Sequence, residues 1–172
     1  RVTVASKQVV KNVLGQIPFT AELYWLVRER GGPIASRFSL KHLQAALPDL
    51  VADASQLRQQ VPETGKKVFI FATLHYWIEH AALLGVALAA QGHKVNLGFL
   101  PYADWLTPIN RFDLRRQNLY ASKVLSPASP LINPVPFLNI KTQYKPLPET
   151  LKKAVDLVTR YDTQYTLQSE DI

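Results

Sequence analysis

Between Thr73 and His80 the chain reads Thr-Leu-His-Tyr-Trp-Ile-Glu-His, its densest run of side chains able to move a proton or hold a ligand. Histidine is the side chain suited to proton exchange near neutral pH, so His75 is a candidate general base or substrate hydrogen-bonding group. Glu79, four residues on, could orient it, and Thr73 and Tyr76 flank it as candidate substrate contacts. A metal site is not expected here. The spacing H-x-x-x-E-H is one residue longer than the inverted zinc-protease motif, and histidines five apart on a helix point about 140° away from each other. The run also lacks glycine, so neither a dinucleotide fingerprint nor a phosphate-cradling GxxxxGK loop is present, and no cofactor is expected.

A second group follows at Asp104 and Trp105, candidates for orienting and for contacting substrate. Arg111 and Arg115 are four apart and would share a helix face, with Arg116 beside them, a pattern able to grip one phosphate or other anion. The competing interpretation is an exposed basic helix. His93 follows Gly92 in a turn at the opposite end of the strands and is assigned a structural role.

These residues need elements to hold them. Val68–Ala72 is an apolar run, followed by a helix rich in small residues that stops at Gly92, then a second apolar run, Val95–Leu100. Strand, helix and strand in that order make a parallel crossover. Thr107-Pro108 reads as the start of the next helix, a capping hydroxyl followed by proline. VPFLNI (135–140) reads as a third strand after a proline-rich loop, and a last helix is expected from Pro148. The predicted fold class is α/β, a Rossmann-like parallel sheet of at least three strands, β-α-β-α-β-α, preceded by a helical segment. In an open parallel sheet ligands sit beyond the carboxyl ends of the strands. That rule selects the segments holding Thr73–Glu79, Pro101–Trp105 and Asn139–Gln143.

Residues 1–61 read as three helices packing on this core, and 62–172 as the α/β domain, with more of that domain expected beyond Ile172. Val9, Val10, Val13, Leu14 and Ile17 form a stripe on the first helix. Thr20 caps the second. Ser39 caps the third, whose Leu40, Leu43, Leu47, Leu50, Ala54 and Leu57 recur at steps of three and four, with Pro48 expected to kink or split it. A sharper alternative makes these helices a homo-oligomer seam or a peripheral membrane hairpin anchored by Tyr24 and Trp25 beside Arg28 and Arg30.

Charge is biased toward the first two thirds. Residues 1–60 carry eight Lys and Arg against four Asp and Glu, residues 61–125 seven against four, and residues 126–172 five of each. The net charge of +7 points to an anionic partner or to simple solubility. No cysteine is present, which excludes disulfides, thiolate metal sites and cysteine nucleophiles, and fits a cytoplasmic location. No apolar run reaches the roughly 18–20 residues of a membrane span.

The segment LLGVALAAQGHKVNLGFLP, with its AxxGHxV turn, resembles the first helix and second strand of GT-B-type glycosyltransferases. The match covers about residues 66–101. It implies an N-terminal, acceptor-side Rossmann-like domain of a glycosyltransferase or related glycan-building enzyme. His75 would then act on the acceptor hydroxyl, Glu79 or Asp104 would orient it, and Arg111, Arg115 and Arg116 would hold an acidic or lipid-phosphate acceptor. The chain departs from the family in replacing a glycine-rich loop by LHYWIEH and in lacking the family's second, nucleotide-sugar domain. The alternative function is a non-catalytic basic binding or oligomerisation module. Nucleic-acid binding is disfavoured, because the basic residues are not interleaved with a known reader motif.

Overall fold

The computed structural model describes residues 4–32, 34, 38–62, 65–104 and 110–140, together with eight helical residues between 149 and 160. The chain divides into two compact units, Arg1–Ile140 and Lys141–Ile172. In the second, Glu149, Lys152, Lys153, Val155–Leu157, Thr159 and Arg160 have helical backbone, and the Thr159 hydroxyl donates to the Val155 carbonyl at 2.9 Å. The helix expected from Pro148 lies only partly within the described residues.

The first unit is α/β. It runs α1 (Val4–Gln16), α2 (Thr20–Val27), α3 (Lys41–Arg58), β1 (Lys67–Thr73), α4 (His75–Ala90), β2 (Lys94–Leu100), α5 (Arg111–Leu125) and β3 (Ile132–Pro136). Short 3-10 turns follow α5 at Ser126–Ala128 and β3 at Phe137–Asn139. The strands form one parallel sheet in the order β1-β2-β3, as the crossover pattern requires.

The register sorts the strand residues onto two faces with different chemistry. Val68, Val95 and Ile132 are in line, as are Ile70 with Leu97 and Ala72 with Phe99, and these side chains join the core beneath α3, α4 and α5. The other face carries Lys67 opposite Lys94, then Phe69, Asn96 and Asn133 in line, then Phe71, Gly98 and Val135. Phe69 is 59% and Phe71 48% exposed. Sequential strand order with right-handed crossovers puts both connecting helices on one face, which leaves this second face uncovered by them. Gly98 makes room on it. A Cβ there would overlap the Phe137 ring and come within 2.9 Å of Phe69 Cζ.

Four local expectations are corrected. The third strand is Ile132–Pro136, earlier than VPFLNI and inside the proline-rich segment. An edge strand tolerates proline because every second N–H points away from its neighbour, and Pro134 and Pro136 are two apart. The third helix is continuous through the exposed Pro48, and it begins at Lys41 after Leu40 rather than on a Ser39 cap. The second helix starts at Thr20, whose hydroxyl donates back to the Ile17 carbonyl at 2.9 Å instead of capping forward. The α1 stripe turns outward: Val9, Val10, Val13 and Ile17 are exposed, while Lys11 reaches Asp113 of α5 at 2.7 Å. The α3 stripe packs inward against α4 through Leu43, Leu47 and Ala54, joined by Val51, with Leu50 and Leu57 left exposed.

Candidate functional site

His75 is the first residue of α4, immediately after β1 and one residue of connection, Leu74. Leu74 holds φ 54° and ψ 149°, a backbone conformation costly for a residue with a Cβ, and its side chain is buried in compensation. This turn sets His75 at the carboxyl end of β1. The half-buried imidazole stands edge-on to Phe38 and Tyr76, with centroids 6.5 and 5.2 Å away. Its Nδ1 is buried and has no hydrogen-bond partner among the described residues. A buried polar atom without a partner calls for one, an ordered water or a ligand group among the choices.

The proposed helpers of His75 are distributed differently. Glu79 Oε1 accepts from the Leu43 backbone N–H at 3.4 Å, serving the first turn of α3, where Leu40 offers no capping side chain. Thr73 closes β1 beside Leu100 and is half-buried. Asp104 is half-buried in the segment after β2, at the same end of the sheet, while Trp105 and the Thr107-Pro108 helix start lie outside the described residues. Helix α5 begins instead at Arg111 with Asn110 as its cap. Asn110 Oδ1 accepts from the Asp113 N–H at 2.7 Å, and its amide donates back to Asp113 Oδ2 at 2.6 Å.

The three arginines do not act as one grip. Only Arg111 is exposed. Arg115 is paired with Glu22 and also donates to the carbonyls of Gly15 (3.2 Å) and Ile17 (2.8 Å), satisfying the end of α1. Arg116 is paired with Glu29 and Asp113, and its guanidinium lies 5.1 Å from the ring centroids of both Tyr24 and Phe112. These contacts clamp α1 and α2 onto α5. Burial alone would raise the Asp113 pKa, but bonds from Lys11, Asn110 and Arg116 outweigh it and hold the carboxyl below its ordinary value. Burial pushes the Tyr120 phenol upward, and its oxygen receives the Leu40 N–H at 3.4 Å.

The surroundings of His80, and the buried pair Gln117 and Asn118, were not evident from the sequence. His80 donates from Nδ1 to the Tyr76 carbonyl at 2.6 Å, which leaves Nε2 as the acceptor of the neutral ring. With Tyr76, Trp77, Leu84, Ile70 and Phe71 it lines a groove of about 410 Å3 between α4 and the free edge of β1. Its tautomer follows from an i, i+4 helix contact that no motif encodes. Gln117 Oε1 and Asn118 Oδ1 are buried without partners among the described residues, at α5 positions where apolar side chains are the rule.

Among the described residues, no group of three or more His, Asp or Glu could hold a metal ion. None of the described helices is long and apolar enough to cross a membrane. No family model matches the chain, and neither a curated protein nor a solved structure does so.

Proposed function

We propose that this chain is the acceptor-side Rossmann-like domain of a GT-B-like glycosyltransferase or related glycan-building enzyme. The observation that supports this reading best is His75, placed at the carboxyl end of β1 by the positive-φ turn at Leu74, with Nδ1 unpartnered among the described residues. There its imidazole would accept the proton of an acceptor hydroxyl as that oxygen attacks the anomeric carbon of a nucleotide sugar, whose bond to the nucleoside diphosphate breaks and releases that group. Asp104 comes from the next strand end, the position from which a second group would help orient the substrate. Because Arg115 and Arg116 are held inside the fold, Arg111 is the arginine of the three left to meet an acidic acceptor. The nucleotide-sugar donor would be bound by another domain.

Ligand-observed NMR with acceptor glycosides and with nucleotide sugars tests this reading. Glycosides should bind the chain, and His75→Ala should weaken them at least tenfold without changing the amide spectrum elsewhere. Glycoside binding that is absent, or indifferent to His75→Ala, removes His75 and the transferase reading with it.

A second reading, an oligomerisation module, is favoured by the surface of α1 and α2. Val9, Val10, Val13, Phe19, Leu23, Leu26 and Val27 are each more than half exposed on two adjacent helices and the turn between them. Exposed apolar surface on that scale marks an interaction site. Molar mass by light scattering should then rise with concentration, and Val13→Lys with Leu23→Lys should hold the chain at 19.4 kDa. A single mass for the parent chain at every concentration discards the module.

A further inference from the structure

We propose that the amino end of the uncovered sheet face is a nucleotide-binding site, with phosphate on a basic pocket and the base on Phe69. A cavity of about 660 Å3 opens at the amino end of the strands, beside Phe69 rather than beneath it, lined by Arg58, Lys67, His93, Lys94, Asn96 and Asn133 among others, and among the described residues no Asp or Glu lines it. Lys67 and Lys94 are directly opposite each other at the first register position of β1 and β2. Like charges facing across a ladder repel, and an anion between the two ammonium groups would relieve that repulsion. Neither lysine forms a salt bridge among the described residues.

The remaining groups complete a donor set. His93 Nδ1 accepts from the Lys66 backbone N–H at 3.0 Å, which places the hydrogen of the neutral ring on Nε2 and makes that atom a donor. Arg58 lies at the rim of the cavity, where it donates to the Val61 carbonyl at 2.9 Å. Asn133 Nδ2 donates to Asn96 Oδ1 at 2.8 Å, leaving the Asn96 amide hydrogens and the Asn133 oxygen to read a polar edge.

The aromatic half of the site follows from strand geometry. Phe69 is two residues beyond Lys67 on the same face, about 7 Å along the strand, a separation that suits one nucleotide. Its ring is 59% exposed and braced by Phe137 at 6.0 Å, and Phe71 continues the surface. Bases stack on such side chains whatever their identity, and lysines beside them hold the phosphates. A sheet face built only to receive another protein layer would be apolar throughout. Here the amino half carries two lysines and two asparagines, and the chain as a whole carries a net charge of +7.

The test is titration of the 172-residue chain with ATP, pyrophosphate, adenosine and a labelled ten-residue oligothymidylate, at low and at physiological salt. ATP or the oligonucleotide should bind, more weakly as salt rises. Tighter binding of ATP identifies a free nucleotide as the source of the unit, and tighter binding of the oligomer identifies a single strand. Lys67→Glu with Lys94→Glu should reduce affinity at least tenfold while amide spectra show the fold intact. Phe69→Ala should weaken ATP roughly tenfold and leave pyrophosphate unchanged. Absence of binding by both nucleotide probes overturns the proposal, as does affinity that survives the double charge reversal. Pyrophosphate binding as tight as ATP, with Phe69→Ala without effect, also overturns it, since no base is then being held.

Discussion

At the scale of single residues, the most consequential group is Arg116, whose side chain is 8% exposed between Glu29 and Asp113. Removing one member of a buried charge cluster strands the others without solvent, a loss of about 3–5 kcal/mol. Arg116→Ala should therefore lower the urea midpoint strongly, whereas Arg111→Ala, at an exposed position, should change stability by less than about 0.5 kcal/mol. Asp113 adds a pH signature. Its folded-state pKa lies below the ordinary 3.8, so the stability it contributes is present above that value and is lost as pH falls through the folded-state pKa. Asp113→Asn should flatten the acid limb of the stability profile between neutral pH and pH 3, read as urea midpoints. An unchanged acid limb would assign the acid sensitivity to other carboxylates.

At the scale of elements, two positions report how the helices and strands are joined. Gly65, just before β1, lies against the turn between α4 and β2. A Cβ there would run into the Gly92 carbonyl and come within 2.7 Å of His93 Cα. Gly65→Ala should cost about 3 kcal/mol, the upper end for overpacking against backbone that cannot yield. Pro48 stands inside α3 on its exposed side, where it withholds one N–H from the helix. Pro48→Ala should stabilise the chain by about 1–2 kcal/mol, less than the full helix-propensity difference because proline also restricts the unfolded chain. What was legible in the sequence follows the same logic. The first two strands and α4 could be read because local apolar runs and a terminal glycine mark them. The bounds of the third strand could not, because Pro134 and Pro136 signal loop, and only the pairing with β2 makes them strand. The outward turn of the α1 stripe was hidden too, since the Lys11–Asp113 contact spans 102 residues. At the candidate site, His75 was legible as a residue after a strand. The arginines were misleading, because their acidic partners Glu22 and Glu29 lie on a distant helix and the adjoining turn.

At the scale of the whole molecule, the sheet has one central strand and two edges, so protection should be unequal. In hydrogen exchange, β2 amides should be the slowest of the sheet, and every second amide of β1 should exchange faster. Uniform protection of β1 would mean that its free edge is covered in solution. Strand order has another outcome, in time rather than in space. Because each strand pairs with the one made just before it, β1, α4 and β2 can close on one another as soon as they leave the ribosome, and β3 then adds to an existing template. Helix α3 docks on α4 and is served at the same stage. Helices α1 and α2 pack on α5, about a hundred residues later, so they are made well before the element that seats them. Until Arg115 and Arg116 emerge, Ala21 and Trp25, the α2 side chains buried in the folded unit, stand unshielded.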